Sequence, residues 1–149
     1  VVVLIIGILA GIALPQYQLS VGKAKFSTLK IITKNIRDAV QRYYLIHGNY
    51  DGLDPNNNTK LNKKLDIEIP TNVTCGIFYD DDNDRVYCYT KIAGKRIEYS
   101  IRRNTGLPHG CRTLGDDRNS IGDRICKNDT GDKRGGSSEG GWWYYYNHN

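Results

Sequence analysis

The chain has 149 residues, 39% of them hydrophobic, and 21 Lys and Arg against 16 Asp and Glu, a formal net charge of +5. All of that excess lies between residues 23 and 47, where Lys23, Lys25, Lys30, Lys34, Arg37 and Arg42 face only Asp38, and 15 basic and 15 acidic residues remain elsewhere. A pI near 9.0 therefore does not mark a basic nucleic-acid-binding domain, and the length holds one long helix plus one domain of about 100 residues, a size that often benefits from covalent staples.

From VVVLIIGILAGIALPQYQ through KAKFSTLKIITKNIRDAVQRYYLIHG, only Pro15 interrupts a pattern that reads as one helix over the first 48 residues. Its first part, residues 1–22, has no charged side chain. Val1, Val2, Val3, Leu4, Ile5, Ile6, Ile8, Leu9, Ile12 and Leu14 leave no wet face, so this half must be buried in lipid or among other helices. Residues 23–48 are amphipathic. Leu29, Ile32, Ile36, Ala39, Val40, Tyr43 and Ile46 recur at spacings of three and four, and Gly48 is a natural C-cap. Of these, Leu29, Ile32, Ile36, Val40 and Tyr43 are expected to pack on the rest of the domain.

The stretch IIGILAGIALPQYQ, residues 5–18, followed by an amphipathic helix ending in RYYLIHGNY, resembles the N-terminal segment of type IV pilins. The resemblance implies an α+β fold, a long helix with a C-terminal antiparallel sheet, and a structural role without cofactors. A pilin waits in the inner membrane and is polymerised through its helix, by dedicated assembly machinery, into an extracellular filament of identical subunits. By the family's spacing about seven residues would precede Val1, among them a methylated Phe and a Glu, and they would lengthen the apolar run to the ~20 that spans a bilayer. The resemblance also implies that in filaments the helix is partly unwound around Gly7, Gly11 and Pro15. The local chemistry agrees, because proline removes a helical hydrogen bond and glycine costs about 1 kcal/mol relative to alanine. Two related readings stand beside a pilus subunit: a type II secretion pseudopilin and a DNA-binding minor pilin. The neutral domain argues against the latter, and nucleic acid is not an expected partner of residues 49–149.

After the helix, residues 49–73 are rich in Asn, Asp and Gly and read as a loop, with Leu61, Leu65, Ile67 and Ile69 as its apolar anchor. Residues 74–149 read as an antiparallel sheet with a disulfide loop and an aromatic tail. TCGIFYD, RVYCYTKI and KRIEYSIRR are strand-like, with DDDND and AG as turns. In the third, Ile97, Tyr99 and Ile101 alternate with Arg96, Glu98, Ser100 and Arg102, an apolar face and a polar one. Four cysteines without a CxxC point to two disulfides in an exported protein rather than to zinc. Three connectivities are open. A turn centred near residues 81 and 82 sets Cys75 opposite Cys88, which leaves Cys111 with Cys126; that pair would close a polar loop with too few apolar residues to order itself, at about 3 kcal/mol.

No nucleophile, base or Gly-rich motif has the setting that catalysis needs, so no enzyme, metal or cofactor site is expected. DDDND and NDTGD carry clustered oxygens but lack EF-hand spacing. Ser137 and Ser138 are candidates for O-linked sugar, and His47, His109 and His148 are isolated from one another. GGSSEGG reads as a flexible segment leading to five aromatics, Trp142, Trp143, Tyr144, Tyr145 and Tyr146. These form either a terminal strand with alternate rings buried or a surface contact.

Overall fold

The computed structural model describes residues 2–53, 57–79, 84–102, 109–115, 119–131, 134–138 and 141–146, with the backbone alone for Arg134, Ser137 and Ser138. Helix α1 runs from Val2 to His47, about 69 Å at 1.5 Å per residue. It ends where Gly48 takes a left-handed φ of 74° and donates its N–H to the Tyr44 carbonyl, as a C-cap glycine does. Pro15 lies inside this helix without interrupting it.

Six antiparallel strands form one sheet in the order β1-β2-β3-β4-β6-β5. Strands β1 (Thr74–Phe78), β2 (Arg85–Ile92), β3 (Lys95–Arg102) and β4 (Gly110–Leu114) make a meander. Cys75 faces Cys88 in the β1–β2 register, and a disulfide joins the two. Residues 80–83 of the DDDND turn (80–84) lie outside the described residues, as does His148. The chain then crosses through a helix and returns as a hairpin of β5 (Arg134–Ser138) and β6 (Gly141–Tyr145), with β6 inserted between β4 and β5.

Two helices occupy stretches whose composition reads as loop. Helix α2 (Asn58–Leu65) starts at Asn57, whose side chain accepts the N–H of Lys60, and buries Leu61 and Leu65. Its first residue also closes one sheet edge: the Asn58 side chain accepts from the Cys75 N–H and donates to the Val73 carbonyl, so that part of the edge is not open to further pairing. Helix α3 (Ile121–Thr130) is capped by Ser120, which accepts from the Asp123 N–H, and by Gly131 in the left-handed region. Its only large apolar anchor in the core is Ile125, and the Cys111–Cys126 disulfide ties it to β4. The loop therefore does order itself, because caps, a covalent tie and tertiary burial replace the missing apolar periodicity.

The core lies between the second half of α1 and one face of the sheet. Phe26, Leu29, Ile36, Val40 and Tyr43 meet Val86, Ile97, Tyr99 and Ile101, with Ile125 and Tyr144 completing the end nearest α3. The buried series on α1 is Gly22, Phe26, Leu29, Thr33, Ile36, Val40 and Tyr43, alternating steps of three and four, the spacing of a single helical seam. Ile32 sits at the rim of this seam and is half-buried. Ile46 is 77% exposed, since the helix has by then passed the sheet.

Candidate functional site

The dominant feature of the molecule is what the first half of α1 lacks. Val2, Val3, Leu4, Ile5, Ile6, Ile8, Leu9, Ile12 and Leu14 are all exposed, Val3 by 83%, and none of the described residues covers them. Val1 lies outside the described residues. Full burial of one such side chain is worth about 1.5–3 kcal/mol. An uncovered apolar cylinder of nine is far larger than the exposed patches of soluble monomers, which mark interaction surfaces. The helix is long and apolar enough to cross a membrane. Gly7 and Gly11 have no neighbour within 4 Å of where a side chain would start, so in the single chain the small-residue face meets nothing.

The apolar surface continues beyond the membrane-length segment. On the side of α1 away from the sheet, Ile31, Leu45 and Ile46 are more than half exposed. The spacing analysis assigned Ile46 to the buried stripe; it belongs to this outer side.

Gly22 marks the point where the helix leaves the domain. A Cβ there would lie 2.9 Å from Cδ1 of Ile125 and 3.0 Å from Cγ2 of Ile92, so only glycine lets α1 approach α3 and the β2–β3 turn this closely. Sequence reasoning did not find Gly22, Phe26 or Thr33. A seven-residue repeat extended back from Leu29 reaches Phe26 and Gly22, and Thr33 follows from the same repeat; its hydroxyl donates to the Leu29 carbonyl at 2.8 Å and so enters the core satisfied.

The aromatic terminus is not a free surface. Trp143 and Tyr144 are 9% and 1% exposed, and Trp142, Tyr145 and Tyr146 are half-buried. The Tyr144 hydroxyl donates to the buried Asp123 carboxylate, whose other oxygen has Lys127 Nζ at 2.8 Å. The Tyr146 hydroxyl donates to Asp129, and Lys30 Nζ on α1 reaches both oxygens of that carboxylate at 2.8 Å. Tyr146 also donates its N–H to the His109 carbonyl and meets the Tyr99 ring edge-on. The tail thus locks α3 and α1 to the sheet. Burial raises the pKa of Tyr99 to about 12, helped by the charge of Asp129 and opposed by Arg37; burial and then the hydrogen bond to Asp129 hold the Tyr146 phenol above its ordinary value. Asp129, one of the clustered oxygens in NDTGD, is thereby engaged by protein groups. Ser137 and Ser138, read from sequence as linker, lie in strand β5, and their side chains are outside the described residues.

The polar side of β3 is also covered. Glu98 and Ser100 are buried, as are Tyr87, Arg112 and Trp143 on the neighbouring strands. Trp143 lies flat over Gly110, whose Cβ would be 3.0 Å from the indole. Arg85 and Arg112 each hold a guanidinium 5.1 Å from the indole ring centre, within cation–π range. Arg85 also faces Phe78 and Tyr87, and Arg96 lies 3.5 Å from the centre of the Tyr89 ring. Burial lowers the Arg85 pKa, Glu98 opposes this, and Arg102 and Arg112 add to it.

A fimbrial protein of Neisseria meningitidis serogroup B is 38% identical over 69 residues, 46% of this chain and 38% of the relative. Similarity to a fimbrial protein of serogroup A and to the type IV major pilin protein PilE1 of Neisseria gonorrhoeae is 41% over 59 residues, 40% of this chain and about a third of either relative. The matches therefore span well under half the length of these curated relatives. No protein-family model and no solved structure matches the chain. Taken with an α+β fold built on one long helix whose first half is bare and apolar, these similarities support kinship with the type IV pilins.

Proposed function

We propose that this chain is a structural subunit of a type IV pilus. It is held in the inner membrane by the first half of α1, then polymerised by assembly machinery into an extracellular filament serving adhesion, twitching motility or DNA uptake. The observation that carries this reading is the contrast within one helix: the second half is buried on its own sheet, while residues 2–14 have no partner among the described residues. Apolar surface of that extent needs lipid before assembly and neighbouring helices after it. The contact is heterologous, because the rod of one subunit cannot meet the same rod by a two-fold axis and still leave the chain open to extend.

The helix is continuous in the single chain, and its weakest stretch is Gly7 to Pro15, where the proline ring faces the carbonyl of Gly11 without supplying an N–H. Assembly opens the helix there, and the freed backbone groups let the bare segment settle among its neighbours. Deleting residues 1–15 should turn a membrane-bound, polymerising chain into a soluble monomer, read by sedimentation beside the full chain. Long filaments from the truncated chain would overturn the proposal, since the polymer contacts would then lie in the sheet.

A further inference from the structure

The first charges after the bare segment, Lys23 and Lys25, do not stand alone. Val1 to Leu14 is apolar or small throughout, and residues 15–22 are uncharged. At Gly22 two other elements come up against the helix: a Cβ there would lie 3.0 Å from Cγ2 of Ile92 and 3.4 Å from Cγ2 of Ile121. That approach sets the β2–β3 turn, flanked by Lys91 and Lys95, and the first turn of α3, with Arg124, level with the first lysines of α1. Lys25 lines one recess with Ala93 and Ile121 and a second with Lys91. All five cations are exposed, and none is ion-paired among the described residues.

Little negative charge answers them. Residues 17–25, 91–95 and 119–125 hold a single carboxylate, Asp123, which is fully buried and taken up by the Tyr144 hydroxyl and Lys127. Asp116 and Asp117 lie outside the described residues; set in full against the five cations, they would still leave this end at +3. Further along α1, by contrast, Lys30 and Arg37 are answered within the chain by Asp129 and Asp38.

We propose that this end of the domain docks on anionic phospholipid headgroups, with Lys23, Lys25, Lys91, Lys95 and Arg124 as a collar round α1 where it leaves the bilayer. The proposal rests on the reading that the first half of α1 is anchored in a membrane. Distance selects the occupant. Eight residues separate Leu14 from Gly22, a rise of about 12 Å, and the headgroup layer beyond the hydrocarbon takes up roughly 5–8 Å of it. Tyr17, 70% exposed, falls in that layer, where aromatic rings anchor a helix. The few ångströms left are too narrow for a folded partner, but lysine stems bridge them, and they lie within the screening length of ~8 Å at physiological ionic strength. An anionic leaflet attracts each nearby Lys or Arg about fivefold, so the cations of the turn and of α3 hold the domain down beside its own helix.

The test is the rate at which an amine-reactive ester labels each lysine of the full chain, read by mass spectrometry. The chain is placed in nanodiscs of phosphatidylcholine alone and of equal parts phosphatidylcholine and phosphatidylglycerol. In the anionic discs Lys23, Lys25, Lys91 and Lys95 should label about three- to sevenfold more slowly, the factor by which an anionic leaflet enriches protons at its surface. Lys64 is the internal control: it lies beside Gly52 and Tyr43, about 30 Å further along α1, and its rate should not change. The difference should vanish in 1 M salt, where screening acts within ~3 Å. Slowing confined to Lys23 and Lys25 would overturn the proposal, because the domain would then be held off the surface. Equal labelling in both discs would overturn it too, as would the same slowing in neutral discs on adding inorganic phosphate, which would make the collar a site for small anions. A chain that stays with neither kind of disc would overturn the anchoring reading itself, an outcome distinct from insertion without docking.

Discussion

The two halves of α1 share one backbone geometry and differ in everything that surrounds it. Residues 2–14 are apolar on every side and covered on none; residues 22–43 carry a single seam, and that seam is buried. Apolar side chains stabilise the fold only in the second half, where Leu29 and Ile36 are 1% exposed. In the first half the same chemistry is left exposed and buries nothing against the domain. The same amino-acid types therefore form core in one place and bare surface in another, and only the periodicity distinguishes them.

Alanine substitutions should separate the halves most widely. Leu29→Ala or Ile36→Ala is expected to destabilise the chain by about 2–5 kcal/mol, as large-to-small core changes do, measured by urea unfolding in neutral detergent. Ile5→Ala and Leu9→Ala should stay within ~0.5 kcal/mol, as substitutions outside packed regions do. The order should invert for assembly: Ile8→Asp leaves the unfolding midpoint where it is and abolishes filaments in electron micrographs. Equal destabilisation by Ile5→Ala and Leu29→Ala would break the distinction, because the bare segment would then be part of the fold.

A second expectation concerns how the domain half is held together. Helix α3 contributes few apolar side chains, so the Cys111–Cys126 link across a separation of 15 residues should account for much of its anchorage. Replacing both cysteines with alanine should cost about 3 kcal/mol, and hydrogen exchange should rise first in α3. If exchange instead rose first in the first half of α1, the two halves would be coupled through this disulfide.

Much of this was legible in the residues, and what was not has identifiable causes. The seam of α1 follows from apolar spacing and the meander from β-branched and aromatic runs, since both patterns are made by burial on one side. Helices α2 and α3 lack that pattern. Their signals were the cap residues, Asn57 and the Ser120-x-x-Asp123 pair, which resemble turn chemistry until tertiary contacts choose between helix and loop. Strand β5 reads as linker because its glycines suit flexibility, yet Gly135 is needed: a side chain there would collide with the Tyr145 ring. The alternation of Arg96, Glu98, Ser100 and Arg102 predicted a wet face. Trp143, arriving from 40 residues later, covers part of it, and no local pattern encodes that.

High pH should act on the domain half alone. The Tyr99 phenol titrates at about 12 in the folded chain and near 10 when unfolded. A raised acid pKa means that the folded state keeps its proton longer, so stability is complete below pH 10 and falls as pH rises from 10 towards 12. Tyr146 shifts in the same direction. Tyr99→Phe should flatten the decline in a urea midpoint measured across that window, whereas deletion of residues 1–15 should leave the decline intact. A profile unaffected by Tyr99→Phe would mean that the ring, and with it the tail packed on its edge, is open to water.

The smallest expected effect lies at the boundary between the halves. Ala93 and Gly94 make the two-residue turn between β2 and β3, with φ of 50° and 76°. Positive φ at both positions is the mark of a type I′ hairpin turn, and alanine adopts it at a cost of roughly 1 kcal/mol, asparagine more readily. Ala93 also lines a shallow recess with Tyr17, Gln18, Gly22 and Ile121, where α1 departs from the domain. Ala93→Asn should therefore raise the unfolding free energy by up to about 1 kcal/mol, seen as a higher urea midpoint at an unchanged slope. Filament yield should not change if the recess is only the place where the helix leaves its sheet. A variant that is more stable yet assembles poorly would show that the recess receives a neighbouring subunit, and the assembly surface would then extend past Gly22 onto the rim of the sheet.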